Sequence, residues 1–286
     1  MTVTEQDGAL LSCGDRPLPL DRPLVMGVLN VTPDSFSDGG RFREPGRACA
    51  RAREMVAEGA ALIDVGGESS RPGAEPVPLQ EELDRVVPVV EALATEVPVP
   101  ISVDTYKPVV AREAVAAGAG LINDICALQE PGAAETIAEL GVPVCLMHMQ
   151  GQPRTMQQAP LYSEVVAEVV RFLQERVVAA EAAGVARERI LLDPGFGFGK
   201  TLTHNYELLR RLDEIVALGR PVLVGMSRKS MIGNLLDRPL EERLAGSLAA
   251  AACAVVRGAR IVRTHDVAAT ADAVRVAAAA SIGLDP

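Results

Sequence analysis

Short apolar runs recur along the chain, and each ends near a polar residue and is followed by a longer segment with helical spacing. Eight such runs occur, at 23–30, 61–67, 98–104, 120–125, 142–148, 189–193, 221–227 and 259–265. Continuous apolar runs between helical segments are typical of parallel strands buried on both faces. Eight β–α units predict an α/β fold, a (β/α)8 TIM barrel. An open doubly wound sheet is the alternative.

The segments between these runs carry apolar stripes at helical spacing. In 45–60, Ala48 and Ala52 share one stripe and Gly59 ends the helix. Further helices are predicted at 107–118, 161–184 and 242–259. The last is rich in Ala and apolar on several faces, so it can pack on the barrel or on a second subunit. We expect a homodimer.

The N-terminal residues precede the first barrel strand. Gly14 and Asp15 lie between apolar pairs, which predicts a short hairpin within 8–22 that plugs the N-terminal end of the barrel. The expected division is a tail and hairpin at 1–22 and a single barrel domain at 23–286. The first residues lack the basic region of a signal peptide. The longest apolar run, 245–256, is shorter than the roughly 18 residues of a membrane span.

The composition limits the kinds of molecule that the protein is expected to bind. The chain has 286 residues, 48% of them hydrophobic, and a formal net charge of −10. This charge argues against a nucleic-acid backbone or an anionic membrane as the general partner, so an anionic substrate requires a local cluster of cations. The five cysteines are an odd number without C-x-x-C spacing. They predict reduced, structural thiols in a cytoplasmic protein.

Polar residues mark the carboxyl ends of the predicted strands, where barrel enzymes build their active sites. They are Asn30, Asp64, Asp104, Asn123, His148, Asp193, Ser227 with Lys229, and Arg263 with His265. One Asp or Asn alone could be a loop cap, but polar groups at all eight strand ends predict a binding site. Carboxylates and amides suit the N–H edge of a flat amino-heterocycle, and the cations suit phosphate. The expected ligand is a heterocycle with a phosphoryl leaving group.

Two polar loops follow the first two strands, at 32–42 and 66–76, and their Gly, Ser and Pro content predicts substrate-closing lids. A third Gly-rich stretch, LLDPGFGFGKT at 191–201, is not a P-loop. Only three residues separate Gly195 from Gly199, where that motif needs four. We expect Asp193 to be its functional residue, and Lys200 and Thr201 to be ordinary loop residues. A zinc site from His148, His204 and His265 is disfavoured because their separations match no compact ligand pattern.

Several of these stretches resemble the dihydropteroate synthase family, within the wider group of pterin-binding barrels. They are LNVTPDSFSDGG (29–40), IDVGGESSRPGA (63–74), ISVDTYKP (101–108), IND (122–124), CLMHMQGQPRTMQ (145–157), LLDPGFGFGK (191–200), VGMSRKSMIG (224–233) and RTHDV (263–267). The resemblance covers nearly the whole chain after residue 22. Ser70 stands where Thr is common, and Cys126 stands where relatives carry a small or basic residue.

The resemblance implies a transferase that joins 4-aminobenzoate to 6-hydroxymethyl-7,8-dihydropterin diphosphate and releases pyrophosphate in folate biosynthesis. It places the pterin at Asp104, Asn123, Met147, Asp193, Phe198 and Lys229, and the diphosphate at Asn30, Arg263 and His265, with Mg²⁺ at Asn30. It places 4-aminobenzoate at Phe36, Ser70, Arg71, Pro72 and Ser230. The expected catalytic residues are Asp104, Lys229 and Arg263.

Two alternatives stay open at this point. One is a pterin-binding barrel without catalysis, although such a protein needs neither the lid loops nor the diphosphate cluster. The other is a methyltetrahydrofolate-dependent methyltransferase that acts on a corrinoid protein. That enzyme has no use for Arg263 and His265 as a diphosphate pocket.

Overall fold

The computed structural model describes residues 10–32, 44–69, 73–152 and 154–284, which form an antiparallel hairpin and an eight-stranded parallel barrel. The hairpin strands are β1 Leu10–Cys13 and β2 Arg16–Pro19. The barrel strands are β3 Leu24–Asn30, β4 Leu62–Gly66, β5 Ile101–Asp104, β6 Leu121–Asp124, β7 Val144–Met147, β8 Ile190–Asp193, β9 Leu223–Val224 and β10 Ile261–Thr264. The predicted barrel is confirmed.

Strand order follows the chain around the barrel. The sheet runs β8-β7-β6-β5-β4-β3-β10-β9, with parallel pairing throughout. A parallel bridge between Leu192 and Val222 joins its two ends and closes the ring. The carboxyl ends of all eight strands therefore lie at one end of the barrel.

The seventh barrel strand is much shorter than predicted. The apolar run suggested a strand at 221–227, but only Leu223–Val224 has strand pairing. Pro221 has no N–H to donate to a ladder. Beyond Val224 the chain turns, with Lys229 N donating to the Met226 carbonyl at 3.1 Å. Apolar composition alone could not distinguish Gly225 and Met226, which are buried but outside the strand, from strand residues.

Helices follow the strands and pack their apolar faces on the outside of the sheet. They are α1 Glu44–Ala57, α2 Leu79–Glu96, α3 Pro108–Ala116, α4 Ala133–Leu140, α5 Val165–Ala182, α6 Leu202–Arg210, α7 Leu212–Val216, α8 Ser230–Leu236, α9 Leu244–Val256 and α10 Val267–Ile282. The four predicted helices correspond to α1, α3, α5 and α9, with ends shifted by one to four residues. No described helix combines the length and apolarity needed to cross a bilayer.

The hairpin plugs the N-terminal end of the barrel, as predicted. Leu11, Cys13, Leu18 and Leu20 are buried in one apolar cluster with side chains from the starts of the barrel strands. Gly120 is required at this contact, because a Cβ there would lie 2.6 Å from the Cys13 carbonyl oxygen. The polar carboxyl ends of the strands lie at the opposite end of the barrel.

Candidate active site

The structure places the described candidate residues at the carboxyl end of the barrel. Asn30, Asp104, Met147 and Asp193 are the last residues of their strands. Asn123 and Arg263 lie within the last two residues of β6 and β10, and the remainder lie in the following loops or, for Ser230, at the first residue of α8. Phe36, Ser70, Arg71 and Pro72 lie outside the described residues.

Arg263 joins two carboxylates at the base of the site. Its Nε donates to Asp64 Oδ2 at 2.6 Å and its Nη2 to Asp104 Oδ2 at 2.9 Å. Asn123 Nδ2 donates to the same Asp64 oxygen at 3.4 Å. Asp64 was noted as a strand end but received no role from the sequence. A carboxylate between apolar residues of a buried strand was the available signal.

Burial of these groups changes their protonation. It raises the pKa of Asp104 to about 7, and Asp64 acts in the same direction while Arg263 opposes it. Near neutral pH the Asp104 carboxyl is therefore divided between its neutral and ionised forms. A positive charge that develops nearby would favour the ionised form.

Some polar atoms in this region are buried without compensation. Asp64 Oδ1, Ser102 Oγ and Asn123 Oδ1 have no hydrogen-bond partner among the described residues. A buried unsatisfied polar atom costs about 1–3 kcal/mol. A ligand that donates to Asn123 Oδ1 would remove one such cost.

Lys229 lies opposite these carboxylates. Its Nζ donates to the Phe196 carbonyl at 2.6 Å and lies 4.6 Å from the centre of the Phe198 ring. Burial lowers the Lys229 pKa to about 8, although Asp193 stabilises the charged form. Asp193 Oδ1 accepts from Gly195 N at 2.7 Å, and burial raises the Asp193 pKa. The site thus pairs buried carboxylates with partly buried cations.

Arg228 orients its two neighbours in the chain. It has φ 57°, the left-handed region, which costs a non-glycine residue about 1–2 kcal/mol. Its N–H donates to Ser247 Oγ at 2.9 Å, and its Nε donates to Asp266 Oδ2 at 2.8 Å. Ser227 Oγ on one side lies 3.1 Å from His265 Nδ1, and Lys229 on the other side reaches the Phe196 carbonyl. No feature of the sequence pointed to the ion pair between Arg228 and Asp266.

Asn30 and the apolar walls complete the described part of the site. A Cβ added at Gly66 would lie 3.7 Å from both Asn30 Oδ1 and Asp104 Cβ, so these two residues face each other across the glycine. Met147 and Phe198 belong to one apolar cluster with Ile125. Burial raises the pKa of neighbouring Cys126 to about 12, which makes its thiol unreactive.

The expectation that Lys200 and Thr201 are ordinary loop residues is wrong. Lys200 is buried, and its Nζ is surrounded by His148 Nδ1 and the carbonyls of Gly195 and Phe198. Thr201 caps α6, where its side chain accepts from His204 N. The loop therefore points carbonyl oxygens at a lysine, whereas a P-loop points N–H groups at a phosphate.

Comparison with known proteins agrees with this architecture. The family model described as pterin binding enzyme matches residues 26–265. The dihydropteroate synthase of Escherichia coli (strain K12) is 59% identical over 259 residues, which cover 91% of this chain and 92% of that protein.

Two solved structures extend the comparison. The Xanthomonas albilineans dihydropteroate synthase with 4-aminobenzoic acid has a TM-score of 0.91 and 53% identity, covering 98% of this chain and 100% of that one. The same organism's enzyme in complex with 7,8-dihydropteroate has a TM-score of 0.87 and 51% identity, covering 97% and 100%. The chain therefore belongs to the pterin binding enzyme family and, within it, groups with the dihydropteroate synthases.

Proposed function

We propose that this protein condenses 6-hydroxymethyl-7,8-dihydropterin diphosphate with 4-aminobenzoate to give 7,8-dihydropteroate and pyrophosphate. The observation that carries the proposal is one site at the carboxyl end of the barrel in which buried Asp104 and Asp193 lie with partly buried Lys229 and Arg263. Carboxylates suit the amino edge of the pterin, and cations suit its carbonyl and the diphosphate. The ligands of the two Xanthomonas albilineans structures support the same substrate and product.

The pterin is assigned to the slot between the walls Met147 and Phe198. Asp193 uses Oδ1 to hold Gly195 N, which leaves Oδ2 for the amino edge of the ring. Asn123 would accept a ring N–H through its unsatisfied Oδ1. Lys229 would donate to the pterin carbonyl.

The diphosphate is assigned to Asn30, Arg263 and His265. No group of three or more His, Cys, Asp or Glu side chains in the described part of the chain is placed to hold a metal ion. Asn30 Oδ1 lies across Gly66 from Asp104, and an amide oxygen fits Mg²⁺ that takes most of its oxygen ligands from phosphates and water. When bound, Mg²⁺ would neutralise charge on the diphosphate.

The mechanism follows from the charge that develops. Breaking the bond between the pterin methylene carbon and the diphosphate oxygen leaves a delocalised cation on the pterin. Ionised Asp104 stabilises this cation, and Arg263 and His265 stabilise the departing pyrophosphate. The amine of 4-aminobenzoate then forms the new C–N bond and loses a proton. A weakly basic aromatic amine is already unprotonated at neutral pH, so it needs no strong general base.

4-Aminobenzoate is assigned to the loops after β3 and β4 and to the start of α8. Ser230 is the first residue of α8, where N–H groups and the helix dipole favour a carboxylate. Phe36, Ser70, Arg71 and Pro72 are assigned to this substrate by the family resemblance alone.

We also propose a homodimer in the reducing cytoplasm. A groove of about 910 Å³ lies between α9 and α10 and is lined mainly by apolar side chains such as Ala252, Val256 and Val276. Val256 is 58% exposed and Val276 71% exposed in the single chain. The five unpaired cysteines support a reducing compartment.

The direct test is turnover. The protein is incubated with the dihydropterin diphosphate, 4-aminobenzoate and Mg²⁺, and dihydropteroate and pyrophosphate are measured. We expect both products in equal amounts, and neither when one substrate is omitted. Pterin binding without product from all three components would instead support the non-catalytic alternative.

Replacing Asp104 tests the mechanism. Asp104→Asn should lower kcat by about 10²–10³-fold, because the carboxylate acts mainly on transition-state charge. The dissociation constant of the pterin should change much less. Asp64→Asn is the matched control, since it removes the other carboxylate on Arg263. Equal losses of kcat in the two variants would mean that Asp104 acts only through Arg263.

A further inference from the structure

Lys200 has an environment that the pterin and diphosphate assignments do not use. The residue is 3% exposed, and its Nζ lies 2.9 Å from the Gly195 carbonyl oxygen, 3.0 Å from that of Phe198 and 2.9 Å from His148 Nδ1. Burial lowers the Lys200 pKa well below its ordinary value, while Asp193 favours the charged form. Nζ can donate to both carbonyls as an amine or as an ammonium group. Lys200 Nζ thus supplies hydrogen-bond donors to carbonyl groups that converge inside the loop.

His148 is fixed as the acceptor of this group. Burial and the nearby Lys200 lower the His148 pKa to about 2, so the ring is neutral. In the tautomer with the ring proton on Nε2, the lone pair on Nδ1 accepts from Lys200 Nζ. The ring packs edge-on against Phe172, with centroids 4.9 Å apart. The orientation of His148 is therefore set by both packing and hydrogen bonding.

The loop at 194–200 lies directly on the backbone that follows β7. Gly195 and Gly199 have φ 67° and 61°. A Cβ on either residue would overlap a carbonyl oxygen, that of His148 for Gly195 and that of Gln150 for Gly199. This close approach brings the loop carbonyls around Lys200.

The other side of the same loop forms part of the pterin slot. The Phe196 carbonyl accepts from Lys229 Nζ, and the Phe198 ring lies beside that Nζ. A Cβ on Gly197 would lie 3.2 Å from Lys229 Cδ. Gly195 N holds one oxygen of Asp193. Any rotation of the loop would therefore move several groups of the slot together.

We propose that Lys200 is a positioning residue for the pterin slot. By bonding the Gly195 and Phe198 carbonyls and His148 through its buried Nζ, it holds the loop that fixes Lys229, Phe198 and Asp193. Lys200 touches no reacting atom in this role. The inference rests on the proposed function, because it takes these three residues as the pterin site.

The lysine content of the chain allows a direct test. The chain has three lysines, Lys107, Lys200 and Lys229, against 25 arginines. Protein labelled with ¹³Cε-lysine should give three lysine signals, assigned by Lys→Met substitution. In Lys200→Met we expect the titration midpoint of Lys229 to rise towards the ordinary lysine value, because a loosened loop lets water reach its ammonium group. Loss of the repulsion between the two lysines acts in the same direction, so the midpoint is interpreted together with pterin binding. Asp193, Asp104 and Arg263 still face Lys229 in this variant.

Binding supplies the second measurement. Misplacing even one hydrogen bond to a charged group of the slot should weaken binding, so Lys200→Met should bind 6-hydroxymethylpterin at least about tenfold more weakly. The KM for 4-aminobenzoate should change less than about threefold. Lys107→Met is the control for lost stability, because Lys107 Nζ pairs with Glu68 and Glu82, away from this loop. It should leave pterin binding and the Lys229 midpoint unchanged. A folded Lys200→Met protein with wild-type values for both would overturn the proposal.

A second pair of variants leaves Lys200 in place and changes its partner His148. His148→Phe retains a ring against Phe172 but removes the acceptor, whereas His148→Asn places an amide oxygen near the position of Nδ1. We expect the Phe variant to reproduce the weaker pterin binding and the Asn variant to resemble wild type. Equal behaviour of the two would contradict the proposal, and this comparison remains decisive if Lys200→Met does not fold.

These measurements are separable from the proposed reaction. Pterin binding and lysine titration need no turnover, so a wild-type protein that makes no product would refute the reaction and leave the role of Lys200 testable. A wild-type protein that makes product, with Lys200→Met indistinguishable from it in binding and titration, would refute only the role of Lys200.

Discussion

Asp104 lies buried beside Asp64, and its burial raises its pKa from 3.8 to about 7. An acid with a raised pKa in the folded state stabilises the protein below its unfolded pKa, and this contribution is lost as the pH rises through the folded value. The residue proposed to stabilise transition-state charge therefore lowers stability at neutral pH. Arg263 offsets part of that cost through its hydrogen bond to Asp104.

Stability as a function of pH checks this account. Asp104→Asn removes the titrating group, so its Tm relative to wild type should be higher at pH 8 than at pH 5, by a few degrees. Glu207→Gln is the control. Arg210 lowers the Glu207 pKa, so that carboxylate stays ionised in both conditions and the Tm difference should stay constant. A relative Tm of Asp104→Asn that falls from pH 5 to pH 8 would contradict the raised pKa.

At the scale of elements, the hairpin β1–β2 contributes to stability, whereas the carboxyl ends of the barrel strands carry the candidate active site. The hairpin buries Leu11, Leu18 and Leu20 against the starts of the strands, at the end remote from Asp104 and Lys229. This contact stabilises the fold, because it covers an apolar end of the barrel that would otherwise be exposed to water. We therefore expect changes there to alter stability and leave substrate binding unchanged.

Two glycine substitutions make the contrast measurable. Gly120→Ala places a Cβ 2.6 Å from the Cys13 carbonyl oxygen, so backbone must shift, and we expect a loss of about 1–3 kcal/mol in the free energy of unfolding by urea. Gly46→Ala in α1 meets open space and should gain up to about 1 kcal/mol from helix propensity. Both variants should keep the wild-type KM values. An unchanged stability of Gly120→Ala would argue against a tight plug.

At the scale of the whole molecule, the proposed dimer depends on the exposed apolar side chains of α9 and α10. A single chain has a mass of 30.1 kDa, and light scattering should give twice that value for wild type. Val276→Asp puts a charge into the groove and should give monomers. Val178→Asp, at a 65% exposed position on α5, should leave the dimer intact. A wild-type monomer at micromolar concentration would refute the proposal.

The sequence predicted the barrel, the hairpin and the polar carboxyl-terminal rim. Strands buried on both faces need continuous apolar runs, and such runs can be recognised in the sequence without knowledge of the tertiary contacts. The prediction failed at β9, where Gly225 and Met226 have no strand pairing and lead into a turn at Ser227 and Arg228. An apolar side chain indicates burial, and a buried irregular segment such as 225–226 is as apolar as a buried strand.

The sequence alone thus determined the fold, the end of the barrel that carries polar groups and, through family resemblance, the candidate residues. Only the tertiary structure decided how those groups combine. Arg263 pairs with Asp64, which is 199 residues away in the chain, and with Asp104, which is 159 residues away. Lys200 is buried because carbonyls from its own loop and His148, 52 residues earlier, converge on it. Such contacts follow no periodicity along the chain, because barrel closure brings together strand ends that are distant in sequence.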